Sequence, residues 1–96
     1  DTTEAARWGL INQGHKSKDL LAKARELAEL LASGPPLVYA AIKEVVREGE
    51  DMKFNDALNM ITKSQFRTVE TLYRSDDQIE GARAFSEKRD PVWKGK

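Results

Sequence analysis

Two residues near the end of this chain have the types and spacing to grip a ligand. Phe85 and Lys88 stand three apart on a predicted helix, so ring and ammonium share a face. Arg83 and Glu87 are four apart and Glu80 lies three before Arg83, so these charges can satisfy one another. Lys88 has only Ala84 and Phe85 at those offsets, and its ammonium is left free. An exposed ring beside an unpaired ammonium could meet an acyl chain, or an aromatic base and a phosphate. Alternatively, Phe85 is core and Lys88 complements the helix carboxyl end, an interaction worth about 0.3–1 kcal/mol. Residue types leave both readings open.

No group in the chain has the setting needed to move a proton. His15 is the only histidine and falls in a predicted turn, with no second ligand at metal-binding spacing. The expected metal set is none. Glu48, Glu50 and Asp51 cluster in a glycine-containing loop, where solvent explains them better than calcium, which needs more oxygens at fixed offsets. Asp76 and Asp77 sit at a helix amino end and suit its dipole. A general acid needs burial or a like charge to raise its pKa, and no carboxylate here falls inside an apolar stripe. The chain has no cysteine and no glycine-rich phosphate loop, so the expected catalytic set is also none.

The elements that carry these residues read as helices. Asp1 with Glu4 resembles a capping box for a short helix to Trp8, ended by Gly9; Leu10-Ile11 then suits a brief buried strand. Ser17 is the predicted N-cap of a helix to Ala32, with Asp19/Lys23 and Arg25/Glu29 as outer pairs. Ser33-Gly34-Pro35-Pro36 stops it and starts a helix to about Arg47. There Val38, Tyr39, Ile42, Val45 and Val46 face inward, and Lys43, Glu44, Arg47 and Glu48 face out. A third helix is predicted from Phe54 to Arg74, striped by Phe54, Leu58, Ile61, Gln65, Val69 and Leu72.

Ser75 and Gln78 form a second capping box, and Ile79, Ala82 and Phe85 mark the inner face of the last helix, ended by Asp90-Pro91. Gly81 inside that helix costs roughly 1 kcal/mol relative to alanine, which predicts close approach of a neighbouring helix. Trp93, between Pro91 and the final lysines, reads as an anchor against its own domain or another subunit.

Sixteen basic and sixteen acidic residues cancel, which argues against nucleic acid as a partner. No apolar run reaches the ~18 residues of a membrane span. Absence of cysteine is compatible with a reducing cytoplasm. The chain starts without Met and inside a predicted helix, so a piece of a longer protein is expected.

Several stretches together resemble the enoyl-CoA hydratase/isomerase (crotonase) family. Glu4-Ala5 through Trp8-Gly9-Leu10-Ile11-Asn12 is similar to its "EA…GL(V/I)N" segment, and Leu27-Ala28 to Pro35-Pro36 to its "LA…PP" turn. Ser75-Asp76-Asp77, Glu80-Gly81, Ala84-Phe85 and Glu87-Lys88-Arg89 resemble its closing "S.D..EG..AF.EKR" pattern. The ending Arg89-Asp90-Pro91-Val92-Trp93-Lys94-Gly95-Lys96 points to a branch that interconverts carnitinyl-CoA and crotonobetainyl-CoA. Gln13-Gly14-His15 departs from the "VV" run that many members have.

The resemblance implies a mostly α fold class: a helical carboxyl-terminal domain of three to four helices from a crotonase-like fold. Residues 1–16 would be the tail end of the catalytic core and residues 17–96 a trimerisation and CoA-pocket domain. It further implies a homo-oligomer (trimer or hexamer), an acyl-CoA substrate (crotonobetainyl-CoA or another enoyl-CoA) and no tightly bound cofactor. The oxyanion hole and the acidic residues that add or remove water would lie upstream of Asp1. Phe85 would border the acyl or pantetheine site, and Lys88 would meet a CoA phosphate. The competing expectations are a generic enoyl-CoA hydratase or isomerase, or a stand-alone helical module that binds a partner helix through the Phe54-to-Leu72 face.

Overall fold

Side-chain caps at Asp1 and Ser75 and a glycine stop at Gly9 set three of the boundaries in the computed structural model, which describes residues 1–96 and contains six helices and no strand. They are α1 (Thr2–Arg7), α2 (Ser17–Ala32), α3 (Pro36–Gly49), α4 (Phe54–Thr62), α5 (Arg67–Tyr73) and α6 (Asp76–Glu87). The chain divides into two compact units, Asp1–Ser33 and Gly34–Lys96.

In the first unit, the Asp1 carboxylate accepts from the Glu4 N–H at 2.8 Å, as the capping box requires. Gly9 then turns the chain with φ +73°, while Leu10 N–H reaches back to the Ala5 carbonyl and Gly9 N–H to that of Ala6. This is the Schellman ending, which places a left-handed residue after the helix and satisfies two orphan carbonyls. Leu10-Ile11 forms no strand: a two-residue run has no ladder partner here, and Leu10 stays exposed. Ser17 is the first residue of α2 rather than its cap; Lys16 stands at the cap position, with no side-chain bond. Lys23 pairs with Glu26 at 2.6 Å, not with Asp19, and Arg25 makes no ion pair with Glu29. No residue of α2 is buried.

The second unit has the core. Ala41 of α3, Phe66 just before α5 and Val69 of α5 are buried together, with Val45, Met52, Met60, Ile61 and Leu72 packed around them. Helix α3 packs on α4 and α5, and α5 on α6. Pro36 opens α3 at a position where its missing N–H costs nothing. The inner face of α3 centres on Ala41, whereas Ile42 and Val46 are exposed. Glu44, expected to face out, turns to α5 instead. Its carboxylate accepts from the Thr68 N–H at 2.8 Å and from the Thr68 hydroxyl, which caps the first turn of α5 and holds the Glu44 pKa below its ordinary value.

The single helix expected from Phe54 to Arg74 is broken. Thr62 bonds back to the Leu58 carbonyl, Ser64 adopts φ +51°, and Gln65 N–H reaches the Met60 carbonyl at 2.8 Å. This is again a Schellman ending, here with serine in the place glycine usually takes. The break brings Phe66 inward, while Phe54 and Leu58 remain exposed. One long straight helix could not turn both its halves toward α3.

Candidate functional site

The amino end of α6 is fixed by Ser75, whose hydroxyl donates to the Leu72 carbonyl (2.7 Å) and accepts from Gln78 N–H (3.1 Å). Only this arm of the expected capping box forms. The predicted inner face of α6 is wrong. Ile79, Ala82 and Phe85 are exposed, and the buried positions are Asp77 and Ala84. A run of residues 77, 80, 81, 84 and 87 lies along one side of the helix, at i, i+3, i+4, i+7 and i+10 spacing. It has almost no large apolar side chain, which is why hydrophobic periodicity pointed elsewhere.

That side is occupied by the chain's own tail. Asp77, only 3% exposed, accepts from the backbone N–H of Lys94 (2.7 Å) and Gly95 (2.8 Å), and its own N–H donates to the Lys96 carbonyl. Gly95 has φ +71°, a conformation that suits glycine and lets two successive N–H groups converge on one carboxylate. Asp77 is therefore more than a charge for the helix dipole. The Trp93 ring lies against Gly81, and a Cβ built on Gly81 would come within 3.2 Å of the ring. The close approach predicted at Gly81 thus comes from the tail, not from a neighbouring helix.

Glu80 is the second anchor. It takes a two-pronged bond from the Arg89 guanidinium (2.6 and 3.1 Å) and another from Val92 N–H (2.9 Å). These bonds, Arg89 first, push its pKa down to about 2. Arg89 also binds Glu87 at 2.6 Å, and the two carboxylates hold its guanidinium even more firmly protonated than usual. The expected Arg83–Glu87 pair does not form, because Arg89 takes Glu87. Arg89 engages Glu80 and Glu87 together, and a guanidinium shared by two carboxylates is held more firmly than one in a single exposed pair.

Phe85 and Lys88 sit where α6 ends. The helix stops at Glu87, earlier than Asp90-Pro91 suggested. Lys88 has φ 57° and ψ 38°; its N–H donates to the Phe85 carbonyl (3.4 Å) and Arg89 N–H to the Ala84 carbonyl (3.1 Å). This third Schellman ending puts lysine in a left-handed conformation that costs an L-residue roughly 1–2 kcal/mol. Lys88 lies just beyond the helix, so the shared helical face assumed for it and Phe85 does not apply. Phe85 is 85% exposed, although its neighbour Ala84 is 1% exposed. Phe85 is not core, and the ammonium of Lys88 has no carboxylate within 4.0 Å. An exposed ring and an unengaged cation remain at the helix end.

His15 borders an open cleft of the first unit with Lys23, Glu26 and Leu27, and its surroundings hold no metal-ligating group of three. Lys23 lowers the Glu26 pKa by its hydrogen bond.

Comparison with known proteins decides the family. Residues 1–96 match the profile of the enoyl-CoA hydratase/isomerase family. The chain belongs to that family. It is 41% identical over 96 residues to a protein named carnitinyl-CoA dehydratase from Citrobacter koseri, covering all of this chain and 37% of that protein. Among solved structures it is similar to an enoyl-CoA hydratase from Bacillus anthracis, with a TM-score of 0.81 and 32% identity over 98% of this chain and 35% of the other. An enoyl-CoA hydratase/isomerase from Mycobacterium paratuberculosis gives a TM-score of 0.84 at 29% identity and the same coverage. The chain therefore spans little more than a third of the length of these family members, and the six helices correspond to a helical portion of the crotonase fold.

Proposed function

We propose that this chain is the helical carboxyl-terminal part of a hydro-lyase that interconverts carnitinyl-CoA and crotonobetainyl-CoA. In this reading residues 1–16 close the catalytic core, and residues 17–96 supply oligomer contacts in a cytoplasmic trimer or hexamer together with part of the CoA site. The catalytic acid and base and the oxyanion N–H groups belong to the rest of the protein, and no tightly held cofactor is needed. Water adds across the double bond next to the thioester, and fixed N–H donors stabilise the enolate that forms. Phe85 covers the acyl or pantetheine stretch, and Lys88 meets a CoA phosphate as a point charge.

One observation carries the site: an 85% exposed phenylalanine at a helix end whose following lysine has no acidic partner. The names of the similar proteins support the reaction. The five leucines of α2 and Phe54 are all more than half exposed, as suits a piece that is covered within a larger assembly rather than a self-contained interaction module. No helix is long and apolar enough to cross a membrane.

The test is Lys88→Ala in the full-length protein. KM for crotonobetainyl-CoA should rise about three- to tenfold, roughly 0.7–1.4 kcal/mol, with kcat held. An unchanged KM removes Lys88 from the CoA site.

A further inference from the structure

The last eight residues reverse direction at Lys88 and run back along α6. Their anchor points follow in order toward the helix amino end: Arg89 on Glu87 and Glu80, Val92 on Glu80, Trp93 on Gly81, and Lys94 and Gly95 on Asp77. Lys88 is thus the pivot of a helix-and-tail hairpin. A left-handed lysine does not hold itself in place; it persists where its surroundings over-determine it. Here both sides are held, by the helix before it and by the clasped tail after it.

We propose that the tail clasp, through Asp77, Glu80 and Trp93, is a positioning device that locks the left-handed turn at Lys88 and so fixes where its ammonium is offered. The inference rests on the CoA-site reading above and deepens it. An ammonium on a flexible four-carbon stem loses side-chain freedom when it grips a phosphate, and an anchored root reduces the further loss from the backbone. Tail residues 89–96 then act on ligand affinity without touching the ligand. The charge hold is double: Arg89 is bound to two carboxylates at once, and Glu80 stays ionised to a pH near 2.

Gly81→Ala in the full-length protein is the test. Alanine favours the helix, and its Cβ would meet the Trp93 ring at 3.2 Å, so the ring must give by a few tenths of an ångström and its seat on the helix is loosened. Two substrates are compared, crotonobetainyl-CoA and crotonobetainyl-pantetheine, the second lacking the nucleotide phosphates. The expected result is a rise of about three- to tenfold in KM for the CoA ester, with kcat and the pantetheine ester near wild type. Adding Trp93→Phe, whose shorter ring withdraws from the new methyl, restores most of the loss. Glu80→Gln, which removes one of the two charges that hold Arg89 and leaves it Glu87, gives the same split between substrates.

If Lys88→Ala raises KM for the CoA ester and neither Gly81→Ala nor Glu80→Gln does, the clasp has no positioning role. Equal losses on both esters would mean general damage and also overturn the proposal. If Lys88→Ala itself leaves KM unchanged, the CoA-site reading has failed, and the clasp proposal falls with it.

Discussion

Helices α2 and α6 are held by opposite means. Helix α2 has sixteen residues and five leucines and buries none of them, with exposures from 52% to 67%. Helix α6 has twelve residues and only Ile79 and Phe85 as large apolar side chains, both exposed, yet Asp77 and Ala84 are buried. Carboxylates that accept backbone N–H groups, with a tryptophan laid on a glycine, fasten α6 to its tail. Hydrophobic periodicity states what a helix can bury, not what it does bury within this chain. Where a tail supplies N–H groups and a ring, a polar face becomes the inner one.

The comparison is sharpest at the core that α6 adjoins. Phe66→Ala should cost about 3–5 kcal/mol in urea unfolding, because a 3% exposed ring leaves a cavity among Ala41, Val69 and their neighbours. A loss below about 1 kcal/mol would mean that the helices are held without this core.

Asp77→Ala comes next. It strands the N–H groups of Lys94 and Gly95 beside a site that is 3% exposed, for about 2–3 kcal/mol, and it should free the tail to limited proteolysis. Asp77→Asn keeps one acceptor oxygen and should lose less. A tail as resistant as wild type in Asp77→Ala would break the account of α6.

Acid should act more weakly and locally. The folded pKa of Glu80 is depressed from the ordinary 4.5 to about 2, so its contribution is fully present above pH 4.5 and is lost as pH falls toward 2. In a Trp8→Phe background, Trp93 emission should shift to the red over that window. In Glu80→Gln the same transition should be absent. A flat profile in the parent sequence would detach Glu80 from the tail.

The smallest effect belongs to α2. Leu30 is 67% exposed, and Leu30→Ala should change the stability of this chain by less than about 0.5 kcal/mol. A loss resembling that of Phe66→Ala would erase the contrast between the two helices.

Helix ends were more legible than helix faces. The Asp1 and Ser75 caps, the Gly9 stop and the Ser33-Gly34-Pro35-Pro36 break depend on side chains within a few residues of one another, and all stand at their places. The break at Ser64 was missed because its signal was only a polar interruption at Gln65, and serine is an uncommon left-handed residue. Phe85 and Lys88 were paired by a spacing that left the core and ligand readings open, and only the family resemblance implied a CoA role for them. Their exposed, unengaged state needed coordinates, and so did the bonds of Glu80 to Arg89, nine residues on, and of Asp77 to Lys94 and Gly95, seventeen and eighteen on.

By itself the sequence determined that the chain is helical, roughly where it turns, and to which family it belongs, since caps, breakers and motifs act over short range. Only the tertiary structure decided which faces are inward, that a supposed single helix is two, and that the tail folds back on α6. Those outcomes depend on hydrogen-bond donors and rings brought together from distant positions, and no local preference encodes that meeting.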